Sequence, residues 1–76
     1  MMVVTTETIP GKKCTVLGLV RGHGGGVGAS YNKAINNMID DADDMGADAI
    51  VAFRFAEYGN GFPLAYGTAV CFEEEA

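Results

Sequence analysis

The chain has 76 residues, of which 49% are hydrophobic and 20% charged, and its net charge is −5. Ten acidic side chains against five scattered basic ones argue against a nucleic-acid partner and against an anionic membrane surface. No apolar run approaches the roughly 20 residues of a membrane span, and no signal peptide is recognisable. We expect one cytoplasmic domain over residues 1–76, near the size at which a single core barely suffices.

Four stretches have the composition of β-strands and are bounded by turn residues. They are residues 3–6, 14–20, 49–58 and 64–72. Gly59, Asn60 and Gly61 predict a tight hairpin turn between the last two. Pro63 opens the fourth strand, where its missing N–H costs least.

One helix is expected between the second and third strands. Apolar side chains from Tyr31 to Met45 recur at the spacing of one face of a 3.6-residue period. Ser30 stands where an N-cap hydroxyl accepts a first-turn amide proton. Gly46 stands where a left-handed C-terminal cap is needed.

The element order predicts a two-layer α+β fold. A right-handed crossover through the helix makes the second and third strands parallel, and the fourth strand fits between them. This is a β-(βαββ) subunit with one amphipathic helix on a small, mostly antiparallel sheet. The last two strands are apolar on both faces, whereas a half-exposed strand alternates. Because one helix covers only one face, we expect copies of the chain to cover the other.

The glycine-rich loop before the helix is the first candidate site. Gly24, Gly25, Gly26 and Ser30 lie between a strand and a helix N-terminus, where free amides and the helix dipole favour anions. The loop lacks the lysine of a phosphate loop, and the chain lacks the repeated βαβ units of a dinucleotide fold. A plain connector is the simpler interpretation, and an anion site is the alternative.

The two cysteines and the only histidine are the second candidate site. The predicted topology brings the start of the second strand, Cys14, to the end of the fourth, Cys71. Two thiolates with His23 would suit a soft transition metal, although no Cys-x-x-Cys spacing is present. The alternative that we favour is two small buried hydrophobic side chains. No nucleophile–base–acid set appears, so we expect a protein that is not an enzyme.

Four aspartates near the predicted helix C-terminus face the unfavourable end of the helix dipole. They are Asp40, Asp41, Asp43 and Asp44. A cation, a basic side chain of a neighbouring copy or a partner would compensate them. A solvated acidic face is the simpler interpretation.

Two stretches of the chain carry family signatures. Residues 4–11 read Val-Thr-Thr-Glu-Thr-Ile-Pro-Gly and continue into Leu-Gly-Leu-Val-Arg-Gly at residues 17–22. Residues 45–51 read Met-Gly-Ala-Asp-Ala-Ile-Val, and residues 66–70 read Tyr-Gly-Thr-Ala-Val. These resemble the YbjQ family, small bacterial and archaeal proteins that carry a heavy-metal-binding label.

The resemblance implies a βαββ-type subunit assembled as a ring, usually a pentamer, and it supplies no ligand residues. Longer members have an additional segment before the helix tyrosine, where this chain keeps only the glycine loop and the pair Ser30 and Tyr31.

The sequence therefore predicts a homo-oligomeric ring, a scaffold or metal-binding module whose cofactor, if any, is a soft transition metal. The alternative is a small-molecule-binding oligomer like the dodecins, flavin-binding proteins with a similar βαββ layout. In that case Tyr58, Phe62 and Tyr66 would stack on the ligand ring at subunit contacts.

Overall fold

The computed structural model describes residues 1–26, 28–59 and 61–73. Within them, one sheet and one helix form a two-layer α+β domain, as the sequence predicts. The elements are β1 (Met2–Val3), β2 (Cys14–His23), α1 (Tyr31–Asp44), β3 (Ala49–Tyr58) and β4 (Phe62–Phe72). Among the described residues, no helix has the length and apolar character needed to cross a membrane.

The sheet has the strand order β1-β3-β4-β2. β4 is antiparallel to both of its neighbours, β2 and β3, and β1 pairs with β3 in parallel. The arrangement β2-β4-β3 is the order expected for the βαββ unit. Because β2 and β3 are both antiparallel to β4, they point in the same direction, as the sequence predicts.

Three strand boundaries differ from the predicted ones. β1 is Met2–Val3 rather than residues 3–6. Val4 and Thr6 still bond to β3, but the bulge in β3 interrupts the regular ladder there. β2 continues to His23, which still pairs with Leu64. β4 begins at Phe62, so that Pro63 lies within the strand. The predicted turn between β3 and β4 includes Asn60, which lies outside the described residues.

The helix begins and ends where the sequence predicts. Ser30 has extended backbone angles, and its Oγ accepts a hydrogen bond from the Lys33 N–H at 3.1 Å. Gly46 has a φ of 76°, the left-handed conformation that glycine adopts without strain. No acidic residue lies in the first turn and no basic residue in the last, so the dipole is left uncompensated by the helix itself.

In the described part of the chain, alanine supplies more than half of the buried side chains between helix and sheet. These buried residues are Val20, Ala34, Met38, Ala42, Ile50, Ala65 and Ala69. α1 approaches β2 so closely that a Cβ on Gly22 would overlap the Ala34 carbonyl and the Met38 amide. The close approach therefore depends on glycine at this strand position.

The chain between β1 and β2 covers one end of the opposite sheet face. Ile9 is buried there against Ala49, Val51 and Val70. The expectation that only copies of the chain cover this face is therefore too broad. Residues 4–13, which we call the leading segment, supply part of the cover because the turn after Ile9 folds them back over the sheet.

A bulge in β3 holds this leading segment. The register with β4 shifts between Val51 and Arg54, and Ala52 takes a left-handed φ of 54°. The Ala52 N–H donates to the Thr6 carbonyl at 2.8 Å, and the Phe53 N–H donates to the Val4 carbonyl at 3.0 Å. The irregular backbone thus becomes the attachment point for the segment.

We expect Gly22→Ala to lower the free energy of unfolding by about 1–3 kcal/mol, because the added methyl group must push α1 away from β2. Urea denaturation followed by circular dichroism measures this change. Asn36→Ala, on the exposed side of the same helix, should stay within about 0.5 kcal/mol of the original. Equal stability of the two variants would contradict the close contact at Gly22.

Candidate functional site

The two cysteines lie at the same end of neighbouring strands but project to opposite faces of the sheet. The register pairs Cys14 with Phe72, and Thr15 with Cys71. Directly opposite residues share a face, and successive residues alternate. A displacement of one residue in register therefore separates the two thiols by the thickness of the sheet.

Each thiol has its own surroundings. The Cys71 thiol donates to the Gly46 carbonyl at 3.3 Å, on the face covered by the helix. Cys14 packs against the apolar cluster around Ile9 on the other face. Both cysteines are free and partly buried. Because these surroundings lie on opposite faces, one chain does not bring the two thiols into a common site.

A small cavity opens beside Cys14. It measures about 170 Å³ and lies between the leading segment and the sheet. Its walls include the apolar side chains of Ile9, Val16 and Val51, and Lys12 and Glu7 stand at its border. Cys14 is thus the cysteine that a ligand on this face would meet.

His23 lies far from both thiols. It ends β2 where Cys14 begins it, and nine strand residues span roughly 30 Å. In the described part of the chain, no group of three or more His, Cys, Asp or Glu side chains is placed to hold a metal ion. One chain therefore does not fit a metal through Cys14, Cys71 and His23, and the predicted site would need more than one copy.

The glycine loop uses its own polar groups. Gly24 N–H donates to the Pro63 carbonyl at 2.9 Å, and Ser30 N–H donates to the Gly24 carbonyl at 3.0 Å. Lys33 Nζ donates to the Gly25 carbonyl at 2.9 Å. The Ala29 N–H donates to the Gly26 carbonyl at 3.2 Å.

The predicted anion site at Gly24, Gly25, Gly26 and Ser30 thus competes with bonds inside the chain. The Ser30 hydroxyl already caps the helix through the Lys33 N–H. This arrangement favours the connector interpretation. Val27, in the same loop, lies outside the described residues.

An acidic groove follows the free edge of β2. It measures about 510 Å³ and is bordered by Asp40, Asp41 and Asp44 of α1 and by Arg21 and His23 of β2. Asp43 is exposed on the same helix. The acidic residues predicted to lie at the helix C-terminus therefore line a strand edge.

Two helix side chains in this groove occupy backbone groups of β2. Asn37 Nδ2 donates to the His23 carbonyl at 2.7 Å. Asp41 Oδ2 accepts from the Arg21 N–H at 3.5 Å. Asn37 was not expected from the sequence, since a single polar residue on an amphipathic helix carries no signal of its target.

The sheet face opposite α1 is apolar and open beyond the leading segment. Val16 and Leu19 are 66% and 67% exposed there. Tyr66 and Thr68 of β4, partly buried, lie between β2 and β3 on the same face. Phe62, one of the three aromatic residues considered for ligand stacking, is 39% exposed at the start of β4. The side chain of Tyr58 lies outside the described part of the structure.

A family model described as "Putative heavy-metal-binding" matches residues 26–73, more than half of the chain. The chain belongs to this family. The match begins in the glycine loop and includes α1, β3 and β4. The resemblance to the YbjQ family noted from the sequence is thereby confirmed.

Similar proteins occur in both bacteria and archaea. A UPF0145 protein of Clostridioides difficile is 39% identical, over 99% of this chain and 95% of the relative. A UPF0145 protein of Methanosarcina acetivorans is 38% identical, over 92% of this chain and 95% of the relative. One from Pyrococcus furiosus is 35% identical, over 99% and 93%. None of these descriptions names an enzymatic activity.

This YbjQ-like chain is shorter than these relatives. The alignment with the C. difficile protein spans 106 residues, so at least 30 of its positions (106 minus 76) have no counterpart here. In this structure β2 and α1 are joined by residues 24–30 alone.

We expect Ser30→Ala to lower the free energy of unfolding by about 1 kcal/mol, because the Lys33 amide loses its cap. Ser30→Asp should retain the stability, since a carboxylate caps equally well. Thermal denaturation of the three proteins, with and without inorganic phosphate, measures both the cap and any anion bound by the loop. A phosphate-dependent rise in melting temperature that Ser30→Ala abolishes would contradict the connector interpretation.

Proposed function

We propose that this protein is a non-enzymatic, cytoplasmic scaffold or metal-binding module that works as a homo-oligomeric ring. The observation that carries the proposal is the open apolar sheet face, on which Val16 and Leu19 are each about two-thirds exposed. Large apolar patches of this kind mark interaction sites on otherwise polar surfaces. Copies of the chain covering the face would remove these side chains from water.

The small core supports an oligomer that contributes to stability. The chain has 76 residues, and alanine supplies most of the buried side chains in its helix-facing core, beside Val20, Met38 and Ile50. A core of this kind buries less apolar area than one of leucine and phenylalanine. Contacts between copies would add the missing area.

The shape of the assembly is proposed from the family. The resemblance to YbjQ proteins implies a ring, usually a pentamer, and the βαββ order of the subunit is the layout found in dodecins. The net charge of −5 per chain disfavours close association of copies. Apolar contacts on the open face therefore have to outweigh this repulsion.

A metal in such a ring would be bound between subunits. Soft metal ions prefer thiolate ligands, and Cys14 is the cysteine on the partly open face, whereas Cys71 faces the helix side. A site would therefore need Cys14 from at least two copies. Cys71 and His23 would not take part within the same site.

The second candidate function is binding of a flavin-like ring system between subunits. Tyr66 on the open face supports it, because an aromatic side chain at a subunit contact can stack on a planar ligand. The protein as purified would then be coloured, and a native mass spectrum would show a bound organic mass instead of a metal.

We expect Thr68→Lys to convert the oligomer into single chains. Thr68 lies on the open face of the central strand β4, so a charge there opposes face-to-face burial without touching a sheet edge. A lysine can reach water in the separated chain, so the fold should persist. Native mass spectrometry of the original, Thr68→Lys and the control Asn36→Lys measures the assembly. A monomeric original protein would exclude the proposed ring.

We expect Cys14→Ser to abolish binding of cadmium, used as a thiol-seeking probe, and Cys71→Ser to leave it unchanged. Native mass spectra recorded after cadmium addition and desalting count the ions per assembly. Loss of binding in Cys71→Ser alone would contradict the assignment to Cys14. An original protein that binds no cadmium would leave the scaffold as the function of the ring.

A further inference from the structure

We infer that the cavity beside Cys14 binds a free amino acid with an aliphatic side chain, such as leucine, whose charged head lies between Lys12 and Glu7. The cavity belongs to a single chain, because the leading segment and the sheet form its walls. The inference therefore goes beyond the proposed ring and does not depend on it.

The inner wall of the cavity is aliphatic and buried. Val51 and Val70 come from the neighbouring strands β3 and β4 and are 5% and 1% exposed. Ile9 of the leading segment packs against both of them. β-Branched side chains have few rotamers, so the wall is formed before any ligand arrives. An aliphatic group that enters the cavity exchanges water for this wall.

The volume of the cavity, about 170 Å³, limits the ligand to a small molecule. A cavity of about 150 Å³ with aliphatic and aromatic walls holds one benzene molecule. The apolar body of the ligand therefore has about four to six carbon atoms. The side chain and α-carbon of leucine have this size, whereas an indole or flavin ring system is too large.

A tight turn in the leading segment places two opposite charges at the border of the cavity. The Lys12 N–H donates to the Ile9 carbonyl at 3.1 Å and closes the turn. Pro10 and Gly11 occupy its centre, and Gly11 has the positive φ, 78°, that a type II turn requires. Because the chain reverses here, Glu7 before the turn and Lys12 after it both border the cavity.

The Lys12 ammonium is positioned by an aromatic ring. Its Nζ lies 5.2 Å from the centroid of the Phe72 ring, a cation–π contact. Phe72 pairs with Cys14 across the sheet, so this contact keeps the ammonium at the cavity. The ring attracts the positive charge, and the ammonium still has N–H groups to donate to a carboxylate. Glu7 offers a carboxylate to a ligand ammonium in the same way.

The pair of opposite charges selects among ligands that have the same apolar body. A fatty acid is attracted by Lys12 and repelled by Glu7, and an amine is attracted by Glu7 and repelled by Lys12. An α-amino acid has a carboxylate and an ammonium next to its side chain, so it matches both charges. Such a ligand also covers Cys14, the thiol assigned above to a metal between copies.

Titration calorimetry with leucine, isocaproate and isoamylamine measures this selection, because the three molecules share one aliphatic body. We expect leucine to bind about 5-fold more tightly than either of the others, the effect of one additional exposed ion pair. Equal affinity for all three would overturn the assignment to an amino acid. A protein that binds no leucine would overturn the site itself.

Exposed side chains at the border permit variants that do not disturb the core. We expect Lys12→Met to weaken leucine binding about 5-fold and Glu7→Gln to weaken it to a similar extent. Lys13→Met is the matched control, because Lys13 is an exposed neighbour that does not line the cavity. Equal weakening by Lys13→Met would replace the site by a general effect of net charge.

Alkylation of Cys14 by iodoacetamide locates the ligand in the structure. With leucine at about ten times its Kd, we expect Cys14 to react about 10-fold more slowly. Cys71 should react at an unchanged rate, because its thiol lies on the other face of the sheet. Mass spectrometry of the peptides measures both rates.

Protection of Cys71 as well, or of neither cysteine, would overturn the assigned cavity. A native mass spectrum of the same sample separates this result from the proposed function. A ring without protection of Cys14 would contradict the amino-acid site and leave the ring. A monomer with protected Cys14 would contradict the ring and leave the site.

Discussion

The close approach of α1 to β2 at Gly22 is the constraint on which the rest of the structure depends. With no side chain there, the helix backbone lies almost against the strand. The core between the two layers is therefore thin and is filled by alanines and a few larger side chains such as Met38. The larger apolar residues are left outside this core, among them Leu19 and Phe55. A chain built in this way has apolar surface remaining for other copies of itself.

Much of the fold could be predicted because its signals are local. The helix from Tyr31, its cap at Ser30 and its end at Gly46 follow from periodicity and capping chemistry, and all agree with the structure. The faces of Cys14 and Cys71 could not be predicted, because they depend on a register that one residue reverses. Sequence patterns predict that two strands are neighbours but do not specify which of their residues oppose each other.

The leading segment illustrates a second limit of sequence patterns. Ile9 is an isolated apolar residue beside a turn, and nothing in its neighbourhood indicates burial against the sheet. Its position depends on the bulge at Ala52, where an L-residue adopts a left-handed backbone. Tertiary bonds impose that conformation against the local preference. The cavity beside Cys14 could not be predicted for the same reason, because it exists only after this segment has folded over the sheet.

The amide of Asn37 on the His23 carbonyl has a consequence for solubility. The outer side of a ten-residue strand is long enough to seed an open-ended filament when nothing limits where another strand can add. Because the end of that strand is occupied by a side chain of the same chain, any added strand is short and its register is restricted. A helix side chain that bonds one carbonyl thus removes one backbone acceptor that such a filament would need.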